Sequence, residues 1–178
     1  MYIGIDPGLS GAVAVLAADG ALLAVHDTPT LLLHGARGTK QEYDLPGMAD
    51  LLRPYAGPGA HVVLEESQAM PGQGTRSMFT IGLGFGVWLG MLGALGLAHT
   101  RIRPHVWKRS LGLSGDKEQA RLRAMQLFPT ADLRLKKHHG RAEALLLAYY
   151  CWRDMATSPT ARGLLHATPL YDLCSSSP

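Results

Sequence analysis

Asparagine is absent from all 178 residues, and cysteine occurs only twice, at Cys151 and Cys174. Two cysteines exclude a disulfide framework and a four-cysteine zinc site. The missing asparagine, with arginine (12) outnumbering lysine (5), fits thermal selection against labile residues and equally a GC-rich genome. Charge is sparse: charged residues make up 17% and hydrophobic ones 47%, which excludes a disordered chain. The length suits one compact domain with a buried core and is short for two. No internal repeat is present. The first residues read as a strand rather than as a charged stretch followed by an apolar run, so no signal peptide and a reducing cytoplasm are expected.

The net charge of +3 conceals a segregation. Between His99 and Arg141 lie 11 of the 17 basic residues and only three acids, Asp116, Glu118 and Asp132, so this stretch carries +8 and the rest −5. Such segregation suits a polyanionic partner, although a solvated basic face would look the same.

Residues 2–5 form an apolar run ending at Asp6-Pro7-Gly8, and residues 12–16 form a second. Asp19-Gly20 is a hairpin turn signal leading into a third strand at 21–26, so an antiparallel meander opens the chain. Residues 28–40 read as a loop. Leu45, Met48, Leu51, Leu52 and Tyr55 have helical spacing over 45–55, closed by Pro54 and the Gly57-Pro58-Gly59 run. Residues 61–64, apolar after His61, read as a strand that suits a sheet centre. A loop at 70–74 precedes a long apolar segment at 75–98. A short strand is expected at 100–102, a helical turn at 107–111, an amphipathic helix at 117–127, a polar loop at 138–140 and a final helix at 141–155. The remainder, residues 156–178, is rich in Ser, Thr and Pro and reads as a loose tail.

From Ser77 to Ala98 there are 22 residues without a charge, long enough to span a bilayer, and Gly82, Gly86 and Gly90 form two overlapping GxxxG patterns. Six glycines dilute the hydrophobicity, however, and a span would cut an α/β pattern in two. A buried helix whose smooth glycine face packs on a sheet or on a twin helix is expected instead, with no membrane.

Four acids stand out by position. Asp6 ends the first strand, Glu65 and Glu66 end the buried strand, and Glu143 lies in the first turn of the last helix, just after His138-His139-Gly140. Carboxylates at the ends of adjacent apolar strands repel unless a cation neutralises them. Oxygen-rich clusters of this kind suit Mg²⁺ or Mn²⁺. A pair of such ions roughly 3.5–4 Å apart would activate water and stabilise the leaving oxygen of a phosphodiester. Singly, each acid has another reading: Asp6 shapes a turn, Glu65 or Glu66 is a solvated strand end, and Glu143 gains from the helix dipole.

Ile3-Gly4-Ile5-Asp6-Pro7-Gly8, Val62-Val63-Leu64-Glu65 and Arg141-Ala142-Glu143-Ala144-Leu145-Leu146 resemble the three active-site blocks of RuvC-like Holliday junction resolvases. Ala69-Met70-Pro71-Gly72-Gln73-Gly74, followed by Ser77-Met78-Phe79, is similar to phage and chloroplast members. Pro104, Trp107-Lys108 and Lys117 also fall at family positions. The resemblance covers about residues 1–155 and implies one nuclease domain there. It implies an α/β, ribonuclease H-like fold: a mixed five-stranded sheet, its first three strands antiparallel, flanked by helices. The implied activity is metal-dependent cleavage of four-way DNA junctions by paired symmetric nicks, with water attacking phosphorus and leaving 5′-phosphate ends.

By the same resemblance Asp6, Glu65 (rather than Glu66) and Glu143 are catalytic metal ligands for Mg²⁺ or Mn²⁺, two ions in all. Where relatives carry a fourth acid this chain has His138, with His139 as the alternative. An imidazole ligand would favour Mn²⁺, or would act as a base or proton shuttle. Phosphate contacts are expected from Arg76, Lys108, Lys117, Lys136, Lys137 and Arg141. A homodimer using the glycine-rich helix is implied. Gln68 stands where a junction-stacking aromatic is found in the bacterial enzyme, leaving Met70 or Phe79 as a wedge. The compartment expected is the cytoplasm of a bacterium or of a phage-infected host. Two other readings compete. An actin-like ATPase would need a second domain and a nucleotide, for which this length has no room. A catalytically inactive module of the same fold would bind branched DNA without cutting it.

Overall fold

The computed structural model of the chain describes residues 1–35, 38–67 and 72–157. Gln68, Met70 and residues 158–178 of the tail expected at 156–178 lie outside the described residues, while 156–157 end the last helix. A five-stranded sheet, in the order β3-β2-β1-β6-β7, forms the centre. β1 (Tyr2–Asp6), β2 (Ala12–Leu16) and β3 (Leu22–Asp27) pair antiparallel, and β6 (His61–Glu65) and β7 (Ala98–Ile102) join parallel to β1. The mixed sheet with an opening meander is the one expected. Its β2–β3 turn is the Asp19-Gly20 pair: Gly20 has φ +87°, and the Asp19 carboxylate accepts from Ala21 N–H at 3.0 Å.

Strand alternation sorts the core into two layers. Ala12, Ala14, Leu16 and Val63 face a cluster completed by α4 (Lys117–Leu127) and α5 (His139–Thr157). Ile3, Ile5, Val13, Val15, Val62 and Leu64 face the other, with α1 (Leu45–Leu52) and α2 (Thr75–Ala94). β1, β2 and β6 are therefore apolar on both sides, as central strands must be. At Gly4 the α5 backbone lies so close that a Cβ would collide with the Ala144 carbonyl and the Ala148 N–H.

Several elements differ from the expectation. Residues 28–40 are not a loop. Thr30–Gly35 (β4) and Gly38–Tyr43 (β5) form a separate antiparallel ribbon. Leu31, Leu32 and Leu33 run consecutively without alternating with polar residues and stay exposed, so no period marks the strand. α1 gives way at Pro54 to a 3₁₀ turn, Arg53–Tyr55, because proline has no N–H to continue the ladder.

α2 stops at Ala94 rather than 98. Gly96 adopts φ +63° and Leu97 N–H bonds back to the Leu92 carbonyl, a left-handed cap that turns the chain into β7. Nor is α2 a buried helix. It is long and apolar enough to cross a bilayer by length and composition, yet only one edge, Gly84, Trp88 and Leu92, is buried on the sheet. Gly82, Gly86, Gly90 and Gly93 have nothing within 4 Å of a Cβ position. α3 (Pro104–Ser110) begins on a proline suited to a first helical position. The polar loop expected at 138–140 is instead a 3₁₀ turn, Lys136–His138, and the start of α5, which places Glu143 in the second turn of that helix.

Candidate active site

The parallel register Ile5↔Leu64 makes Asp6 and Glu65 the next pair along adjacent strands. Alternation turns both side chains to the α5 side of the sheet. Gly140 lets the start of α5 lie against the β1–β2 loop, where a Cβ would collide with the Ser10 carbonyl. That seating lowers Glu143 over the two strand ends. Asp6, Glu65 and Glu143 thus share one open cleft of about 1150 Å³ with Ser10, Tyr43, Arg76, Thr80, Lys108, Lys117 and His139. Glu66 does not line it and pairs with Arg103 at 3.4 Å.

The three carboxylates feel one another. Burial, then the charge of Glu143, pushes the Asp6 carboxyl up to about 6, although the Gly8 N–H, Lys117 and His139 oppose the rise. Burial, then Asp6 and Glu143, pushes Glu65 up to about 7 against the pull of Trp107 and Lys108. Like charges in a partly desolvated cleft behave in this way. Two neighbouring residues of α3 hold two of the three acids. Trp107 Nε1–H donates to Glu65 Oε1 at 2.8 Å, and Lys108 Nζ donates to Glu143 Oε1 at 2.7 Å, with the lysine 5.2 Å above the Trp107 ring centre. In the Lys108–Glu143 pair the carboxylate is buried and the lysine half-buried.

An oxygen-only set in which the charge of Glu143 raises Asp6, and Asp6 and Glu143 raise Glu65, fits a hard divalent cation. Among the described residues no three His, Cys, Asp or Glu side chains stand close enough to close a coordination sphere. As the cleft stands, Lys108 supplies the positive charge at Glu143.

The two histidines separate. His139 lines the cleft, whereas His138 is 7% exposed, lies outside it, and has its Nδ1 unbonded 3.9 Å from Asp132 Oδ1. The preceding 3₁₀ turn sends the first histidine inward beneath the chain and the second toward the strand ends. Of the expected phosphate-binding residues, Arg76, Lys108 and Lys117 line the cleft, while Lys136 and Lys137 are exposed beside it in sequence on that 3₁₀ turn. Arg141 is engaged elsewhere: it makes two 2.6 Å bonds to the Asp27 carboxylate and a 3.5 Å ion pair with Asp132. Those guanidinium bonds hold Asp27 below its ordinary carboxylate range. Phe79 is 73% exposed on the first turns of α2, beside the cleft-lining Thr80.

Sequence reasoning missed Tyr43. It ends the ribbon, is buried, and donates its hydroxyl to the Pro7 carbonyl at 3.2 Å. Burial, then Asp6, pushes its phenol up to about 12, which keeps the hydroxyl a donor at neutral pH. No local signal marks it, because its partner is 36 positions away.

No family model matches the chain. A chloroplastic Holliday junction resolvase of Chlamydomonas reinhardtii is 36% identical over 104 residues, which cover 56% of this chain but only 12% of that protein. Among solved structures, Thermus thermophilus RuvC in complex with a Holliday junction substrate aligns with a TM-score of 0.60 at 15% identity, covering 87% of this chain and 94% of that one. A second Thermus thermophilus RuvC structure aligns with a TM-score of 0.54 at 19% identity, covering 87% and 96%. In fold this chain is RuvC-like and ribonuclease H-like, and in sequence it is similar to a Holliday junction resolvase; the resemblance carried by its motifs holds at both levels.

Proposed function

We propose that this chain, within residues 1–155, is a metal-dependent endonuclease of phage type that resolves four-way DNA junctions by paired symmetric nicks. The observation that carries this reading is the convergence of Asp6, Glu65 and Glu143, from β1, β6 and α5, on one cleft rimmed by Arg76, Lys108 and Lys117. Asp6, Glu65 and Glu143, with His139, would hold Mg²⁺ or Mn²⁺, two ions, which supply an activated water for attack on phosphorus and charge on the leaving oxygen. Trp107 fixes one Glu65 oxygen and leaves the other for a ligand. Lys108 neutralises Glu143, and with a cation held at Glu143 its ammonium would be left to pair with phosphate. Lys117 and Arg76 hold the strand at the cleft, and Lys136 and Lys137 extend the cationic path. Arg141, already paired, steadies α5 rather than DNA.

A homodimer belongs to the same reading. Gly82, Gly86, Gly90 and Gly93 present a smooth outer face on α2, and Phe79 and Leu83 stand exposed on the helix. An apolar face of this kind on a folded domain marks an association surface, and its buried edge seats α2 on the sheet rather than in a bilayer. The relative is chloroplastic; for this chain we propose the cytoplasm of a bacterium or phage-infected host, the host class resting on the similarity of the 70–74 block to phage members.

Two observations favour the inactive-module reading: Glu143 is already neutralised by Lys108, and among the described residues no three ligands close on a common point. Incubation of a four-way junction, a Y-fork and a linear duplex with Mg²⁺, Mn²⁺ or EDTA decides. Symmetric nicks in the junction with either metal support the nuclease. Junction binding without cleavage under every metal makes the chain a binding module.

A further inference from the structure

The peptide between Pro7 and Gly8 is a single rigid plane, and it is gripped at both ends. Its N–H, from Gly8, donates to Asp6 Oδ1 at 3.3 Å. Its carbonyl, from Pro7, accepts from the Tyr43 hydroxyl at 3.2 Å. Turning that plane would turn the N–H away from the carboxylate. Tyr43 is the last residue of β5 and is buried, whereas the first four residues of that strand are exposed. α2 closes the third side: a Cβ on Gly84 would collide with the Tyr43 hydroxyl and stand 2.8 Å from the Pro7 carbonyl. The ribbon, α2 and the β1 loop therefore meet at one hydroxyl.

We propose that Tyr43 is a positioning residue that holds the Pro7–Gly8 peptide, and through it the Asp6 carboxylate, in the orientation required to bind a divalent cation. The inference rests on the reading of Asp6 as a metal ligand. Tyr43 acts through one peptide plane, with Gly84 as the space that admits it.

The test is binding of Mn²⁺ alone to the full chain, by calorimetry or electron paramagnetic resonance, for wild type, Tyr43→Phe and, as a control elsewhere in the same core, Tyr55→Phe. Tyr43→Phe keeps the ring and removes one hydrogen bond, so it should bind Mn²⁺ roughly three- to tenfold more weakly. The rate of junction cleavage at saturating Mn²⁺ should stay close to wild type while the Mn²⁺ concentration for half-maximal rate rises. Tyr55→Phe should bind as wild type. Gly84→Ala, which displaces the hydroxyl, should weaken binding in the same direction, and the two changes together should be no worse than the stronger one. Wild-type binding with an unchanged Tyr43→Phe isotherm overturns the positioning role alone. A wild type that binds no Mn²⁺ overturns the metal reading of Asp6 and this role with it.

Discussion

Asp6 and Glu65 are held where carboxylates are least comfortable, and this sets the sign of their effect on stability. Asp6 titrates near 6 in the fold against 3.8 as a free side chain, and Glu65 near 7 against 4.5. The folded state keeps these protons to higher pH than the unfolded state. The metal-free protein therefore loses stability as pH rises from about 4 through about 7. Asp6→Asn removes part of that loss and should stabilise the EDTA-treated protein by about 1–3 kcal/mol near pH 7.5. The gain should vanish in melts near pH 4. The same variant, with Glu65→Gln and Glu143→Gln, should nearly abolish junction cleavage while binding survives; wild-type turnover in any of the three removes that residue from the ligand set. The histidines diverge. His139→Ala should weaken Mn²⁺ binding and slow cleavage, whereas His138→Ala, emptying a buried site, should lower the melting temperature and spare activity. Activity lost only in His138→Ala would return the role to His138. The strand-end acids were legible because an acid closing an apolar strand has little structural excuse. The choice between adjacent histidines was not, because a single 3₁₀ turn decides which one faces the strand ends.

Among the elements, α2 shows how one helix can carry two stripes of which only the less conspicuous packs on the sheet. Gly82, Gly86 and Gly90 recur every four residues, and so do Gly84, Trp88 and Leu92. Residues two apart point to nearly opposite sides of a helix, so the conspicuous glycine stripe and the buried edge exclude each other. The structure buries the second set. Gly86→Ala therefore meets open space in a single chain and should raise monomer stability by about 0.5–1 kcal/mol through helix propensity. If α2 is the dimer helix, the same change should weaken association. Light scattering across a protein dilution series, with melts at each concentration, separates the two effects; a monomeric wild type removes the dimer. The ribbon β4–β5 was invisible for a different reason. Neither of its strands alternates apolar with polar residues, and only Tyr43 at its base is buried.

The charge of the whole molecule does not translate residue by residue into DNA contacts. The +8 stretch places Lys108 and Lys117 on the cleft but commits Arg141 to Asp27, which lies 114 positions away on β3. Lys117→Ala and Lys136→Ala should each lower the salt dependence of junction binding by about one counterion. Arg141→Ala should leave that slope unchanged and instead destabilise the protein, because it strips a bidentate partner from Asp27 and loosens the start of α5. A shallower slope in Arg141→Ala, measured from binding at several NaCl concentrations, would place it on DNA after all.

By itself the sequence determined what depends on near neighbours: the Asp19-Gly20 hairpin, the apolar central strands, the acids closing two of them, and the ordered motif blocks that resemble those of RuvC-like resolvases. Each is set by local conformational preference or by burial of a single strand or helix. Only the tertiary structure decided which side chains meet. Tyr43 reaches Pro7, Trp107 reaches Glu65, Lys108 reaches Glu143 and Arg141 reaches Asp27 across 35 to 114 positions. Such pairs leave no period or motif in the chain, because they follow from how closely α5, α3 and α2 approach the sheet. For α5 and α2 that approach is admitted by Gly4, Gly84 and Gly140, where the neighbouring atoms leave no room for a side chain.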